Sequence, residues 1–230
     1  MSDGRRHVKL VFWLGMTGAF LLACLYLFCY LLPPSCRPVA GIVMNGTFLL
    51  AFALAAGLAT AVLRRYKEDE QPHRVWLYFA LGLWTWLVGE LIWGIYHLTT
   101  NSATRVTVAD LFWVTAYGLF SLALYFQYRL IRPAGKKRAI AVVLAAWFLV
   151  VFISHLGAYV TNGFSLRHGF FEKYLLFYYV ICNLAITVTS LSFIRAFGTG
   201  ILMRPWLGLL VMLLADSFYT WLYHLDLYTY

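Results

Sequence analysis

Three carboxylates stand where a carboxylate is least expected. Glu90, Asp110 and Asp216 each fall within a long apolar run. Charge at such a depth is costly, and normally faces a bundle interior or a wet cavity. The neighbours of each acid recur at helical spacing. Trp86, Glu90, Trp93 and His97 fall at i, i+4, i+7 and i+11 and share one face. Asp110, Trp113, Tyr117 and Ser121 form a second stripe, and Asp216, Tyr219, Thr220 and Tyr223 a third, with His224 at its edge. Indole N–H and phenol O–H groups can donate to a carboxylate. Such stripes suit three tasks: interhelical glue, the rim of an outward-opening ligand pocket, or the acid and base of a proton relay or intramembrane hydrolase. For a pocket, the candidate ligand-binding residues are Glu90, Trp93, His97, Asp110, Trp113, Tyr117, Asp216, Tyr219 and Tyr223. No catalytic residue is assigned.

The elements that must hold these side chains follow from composition. Of 230 residues, 63% are hydrophobic and only 12% charged. Soluble domains carry about 25% charged residues, so the chain reads as an integral membrane protein, all-α and polytopic. Seven runs reach the roughly 20 mostly apolar residues that cross a bilayer: Leu10–Leu32, Gly41–Leu63, Val75–Leu98, Val108–Ile131, Ala139–Tyr159, Tyr174–Ile194 and Pro205–Leu225. The first is longer than the 7–15-residue core of a signal peptide and is read as a retained helix. The runs are continuous rather than alternating, unlike barrel strands. The whole chain, 1–230, is therefore expected to be a single seven-helix transmembrane domain with no soluble domain.

Lys and Arg set the orientation. Fourteen of them fall on one side of the seven runs and four, Arg37, Arg105, Arg167 and Lys173, on the other. The N-terminus is thus expected in the cytoplasm and the C-terminus outside. At 1.5 Å per residue, Glu90 lies roughly 22 Å and Asp216 roughly 17 Å from the inner ends of their helices, with Asp110 about one turn below the outer surface. This asymmetry accounts for the net charge of +9 without a nucleic-acid partner. The clusters Arg64–Arg74 and Arg129–Arg138 suit anionic lipid headgroups.

The remaining polar residues narrow the cofactors. Cys24, Cys29, Cys36 and Cys182 have no CxxC or paired spacing, which argues against a disulfide framework or a zinc site. His97, His155 and His224 fall at outer helix ends and His168 in an outer loop, where wet interfacial histidines are common. All five lysines lie at span ends or in loops, so no amine is placed for a retinal Schiff base. No cofactor is assigned. In the second run Ala51, Ala55 and Ala59 recur four apart, as do Ala53 and Gly57, a pattern expected to form a helix-packing face.

Two stretches, Trp84-Thr-Trp-Leu-Val-Gly-Glu90-Leu-Ile-Trp93 and Val108-Ala-Asp110-Leu-Phe-Trp113-Val-Thr-Ala-Tyr117, carry a resemblance. Together with Arg204-Pro-Trp206, Leu214-Ala-Asp216-Ser-Phe-Tyr219 and Tyr228, they resemble the multi-helix membrane sensor module N-terminal to bacterial diguanylate cyclases and sensor histidine kinases. The likeness covers most of the chain from about Gly46. Where such modules often carry an acid in the sixth span, this chain has Asn183. A cytoplasmic output domain would need a further helix beyond Tyr230. The resemblance implies a signal-input module of the bacterial cytoplasmic (inner) membrane that binds an apolar or amphipathic ligand. Two other functions fit the composition: an accessory or structural subunit of a photosynthetic or respiratory membrane complex, and an intramembrane lipid-modifying enzyme acting through Glu90 and Asp110. The expected partners are membrane lipids and either a second copy or a larger membrane complex.

Overall fold

The computed structural model describes residues 17–18, 20–25, 28–29, 32, 36–100, 107–131, 170–197 and 204–224. Regular structure among them is helical throughout, and no strand occurs among the described residues. Helical residues lie between 17 and 29. Five longer helices follow: α1 (Arg37–Leu63), α2 (Gln71–Thr100), α3 (Val108–Ile131), α4 (Phe170–Phe197) and α5 (Arg204–His224). The run Ala139–Tyr159 lies outside the described residues, as does much of Leu10–Leu32.

The helix starts have a common local cause. Pro38, Pro72 and Pro205 each occupy the second residue of α1, α2 and α5. A first-turn amide has no intrahelical acceptor, so proline loses nothing there and its fixed φ suits the helix. These first turns explain why α1 and α2 each begin four residues before their apolar runs: Arg37 and Gln71–Arg74 are helical but polar, and hydropathy does not register them.

Three stretches, Gly41–Leu63, Gln71–Tyr96 and Val108–Leu130, are long and apolar enough to cross a membrane. Ile181–Arg195 and Pro205–Asp216 are shorter apolar helical stretches, measured as far as the described residues extend.

The chain divides into two compact units, residues 1–67 with 79–116, and residues 68–78 with 117–230. In the first, Phe52, Ala56 and Ala59 of α1 are buried with Phe79, Leu83, Trp86 and Leu87 of α2. The Phe52 and Trp86 rings stack with centroids 6.1 Å apart and planes 5° from parallel. Trp84 Nε1 donates to Thr60 Oγ1 at 3.0 Å. The small-residue stripe expected to form a packing face is not the one this unit buries. Ala51, Ala55 and Gly57 are exposed, and of that set Ala59 alone is buried; the buried stripe runs through Phe52, Ala56 and Ala59. In the second unit α4 and α5 pack on each other. Phe193 meets Trp206 at 5.4 Å between ring centroids, among Ile186, Val188, Leu209 and Leu213, all buried.

Candidate functional site

Each unit holds a polar centre. In the first, Trp86 Nε1 donates to Glu90 Oε1 at 2.8 Å, one helical turn along α2. The i, i+4 spacing aligns donor and acceptor on one face, and the indole itself is buried.

Asp110 belongs to the same unit, and the structure gives it a local task. Thr107 immediately precedes α3. Its Oγ1 accepts the Ala109 N–H at 3.2 Å. Its own N–H donates to Asp110 Oδ2 at 2.7 Å. This reciprocal pair is a capping box: the side chain before the helix and the one three residues later satisfy amides left open by the helix start. A carboxylate in the first turn also faces the positive end of the helix dipole. The Thr-x-x-Asp spacing is legible in the sequence, where Asp110 also reads as a pocket residue. Thr107→Ala is expected to lower stability by about 1 kcal/mol, read as a shift in the unfolding midpoint in bicelles. No shift would remove the box from the account.

Trp113 of α3 lies close against Gly89 of α2 in this unit. A Cβ on Gly89 would lie 2.8 Å from Trp113 Nε1 and 3.3 Å from the Ala109 carbonyl oxygen. Trp113 Nε1 is buried and has no hydrogen-bond acceptor among the described residues. An open apolar groove of about 460 Å³ lies elsewhere on the unit, lined by Trp84, Thr85, Val88, Leu111, Phe112 and Thr115. None of the nine sequence-derived pocket residues lines it.

The second unit contains the more connected centre. Asp216 Oδ2 of α5 accepts from the Tyr117 hydroxyl of α3 at 3.0 Å and from Asn183 Nδ2 of α4 at 3.1 Å. The Tyr117 hydroxyl also lies 2.7 Å from Asn183 Oδ1, as a donor. Three helices thus meet on three side chains. Tyr117 and Asn183 are buried; Asp216 is partly buried. The Tyr117 ring packs against Tyr178, edge-on at 6.4 Å, and Tyr179 at 5.7 Å. A phenol has one proton and here two acceptors, so it serves Asn183 or Asp216 in turn. In the sequence Asn183 stands out only as a missing acid. Its amide gives what an ionised acid could not, a donor for Asp216 beside an acceptor for Tyr117.

Of the other sequence-derived residues, Trp93 is half-buried on α2. His97 lies on α2, and Tyr219 and Tyr223 on α5, with side chains outside the described part. Among the described residues no group of three or more His, Cys, Asp or Glu is arranged to hold a metal ion.

No family model matches the chain, and neither a curated protein nor a solved structure does.

Proposed function

We propose that this chain is a membrane-embedded signal-input module. Its seven spans would lie in a bacterial cytoplasmic membrane with the N-terminus inside and the C-terminus outside. It takes an apolar or amphipathic ligand and converts binding into a change of helix packing. The charge asymmetry and the sensor-module resemblance support this reading. One observation carries it: a single carboxylate, Asp216, joins α5 to Tyr117 of α3 and Asn183 of α4. A ligand group that donates to Asp216 competes with both partners. Because Tyr117 holds two acceptors with one proton, loss of either contact re-pairs the other. Such a ligand shifts the packing only through its differential affinity for the two arrangements.

The test is chemical. The protein is purified in detergent and its bound small molecules are extracted and identified by mass spectrometry. One amphipathic compound is expected near stoichiometry with the native chain, several-fold depleted in Asp216→Asn and Tyr117→Phe. Val211→Ala, on the exposed flank of α5, retains it. A native extract holding bulk lipid alone overturns the proposal.

A second reading, an accessory subunit of a larger membrane assembly, is favoured by one feature. Ala51, Ala55 and Gly57 are exposed on α1, and small residues admit close helix approach in lipid. The mass of the protein in nanodiscs, alone or with co-purifying chains, decides it.

A further inference from the structure

In the second unit two arginines are held over aromatic rings at one end of the helices. Arg74 lies in the first turn of α2, and its guanidinium carbon is 5.9 Å from the Phe126 ring centroid. Arg129 lies in the last turn of α3, 5.9 Å from the Tyr125 centroid. The two rings are themselves in contact, 5.5 Å apart and edge-on. Tyr78 stacks on Phe126 at 5.3 Å with planes 3° apart. The result is a continuous row: cation, ring, ring, cation. Both arginines are exposed. Among the described residues neither guanidinium is paired with a carboxylate.

We propose that Arg74 and Arg129, seated on Phe126 and Tyr125, form a binding site for the headgroup of an anionic glycerophospholipid. Depth argues for a lipid. The apolar stretches Gln71–Tyr96 and Val108–Leu130 begin and end beside these arginines, so both guanidiniums stand where hydrocarbon meets headgroup. Tyr125 and Tyr128 are exposed next to them, as tyrosines are at a bilayer interface. Chemistry argues for an anionic headgroup. A guanidinium presents paired N–H donors to phosphate oxygens, and its contact with a ring face limits the freedom lost on binding. Two cations at the ends of one aromatic row favour a phosphodiester with no compensating positive charge and disfavour one that carries choline. The exposed Leu122 and Leu130 of α3 give the acyl chains an apolar flank.

The experiment titrates phosphatidylglycerol or phosphatidylcholine into micelles of the full chain and counts bound lipid by native mass spectrometry. Phosphatidylglycerol is expected to bind in preference. Arg74→Gln and Arg129→Gln should each weaken it about fivefold, the double variant about 25-fold, at roughly one interfacial cation's worth apiece. Tyr125→Leu keeps both charges and removes one platform; a loss of about twofold or more is expected. Arg195→Gln, which removes an exposed arginine of α4 outside the row and outside both basic clusters, should leave binding unchanged. Equal binding of the two lipids overturns the proposal. So does an Arg195→Gln loss as large as that of Arg74→Gln, which would mean diffuse charge, or full displacement by inorganic phosphate, which would mean a site for free anions. Were the variants to misfold, the native chain decides alone: its preference for phosphatidylglycerol must fall as ammonium acetate rises.

Discussion

Asp216→Lys is expected to destabilise the second unit by about 3 kcal/mol or more, and Asp216→Leu by only about 1–2 kcal/mol. The order follows from what each side chain meets. The hydroxyl of Tyr117 and the amide of Asn183 both present donors to Asp216 Oδ2. Leucine removes the acceptor. Tyr117 can then donate wholly to Asn183 Oδ1, 2.7 Å away, which leaves Asn183 Nδ2 as the main loss. An interhelical hydrogen bond in a membrane is worth about 0.6 kcal/mol, up to about 1.7, and an unsatisfied buried amide adds part of its desolvation cost. Lysine loses the same bonds and places a cation against two donors. Insertion of such a charge at mid-helix costs a further 2.5–3.5 kcal/mol or so. Asp216→Asn keeps an acceptor in the same place and should fall within about 1 kcal/mol of the native chain. Tyr117→Phe and Asp216→Leu share a network, so their combined effect should be less than their sum. Unfolding midpoints in bicelles read all of these. Equal midpoints for Asp216→Lys and Asp216→Leu would mean that the carboxylate is not inside the bundle.

The residues differ in how much of this was legible beforehand. Val108–Ile131 has the same bounds in sequence and structure, because a capping box starts that helix just where its apolar run starts. The starts of α1 and α2 are hidden, since a first turn that carries a proline and polar residues looks like a loop to hydropathy. Spacing puts Trp86 and Glu90 on one face, because a helix fixes which side chains are neighbours along itself. It says nothing of rotation about the axis. Ala51-Ala55-Ala59 and Phe52-Ala56-Ala59 are almost equally periodic, and either could face protein, since lipid is as apolar as a bundle core. That ambiguity is why spacing alone points to the wrong buried stripe of α1. The bonding role of Asn183 is hidden for a related reason. A neutral amide stands out less than a charge in an apolar helix, yet its two-sided bonding lets three helices share one carboxylate.

Gly89→Ala tests the other unit, and the expected sign is the opposite of that for an ordinary helix glycine. Replacing glycine by alanine inside a helix gains about 1 kcal/mol of backbone propensity. Gly57, with nothing within 4 Å of its would-be Cβ, should show that gain or a neutral result. At Gly89 the new methyl meets Trp113 Nε1 at 2.8 Å, Trp113 Cδ1 at 2.9 Å and the Ala109 carbonyl oxygen at 3.3 Å. An indole is rigid and a carbonyl belongs to the backbone, so neither yields easily. Overpacking of this kind costs about 1–3 kcal/mol, which outweighs the propensity gain. Gly89→Leu should prevent the unit from folding. Trp113→Ala in the same chain should recover much of the Gly89→Ala loss, because one of the two obstructing groups is gone; the remainder measures the Ala109 contact. Trp113→Phe isolates the indole N–H. It removes a donor with no acceptor among the described residues, and relief of that burial offsets lost ring contact, so the net change should stay within about 1 kcal/mol. If Gly89→Ala stabilises as Gly57→Ala does, α2 and α3 are not in close contact at Trp113, and the approach that places the Glu90 and Asp110 helices side by side in this unit is lost.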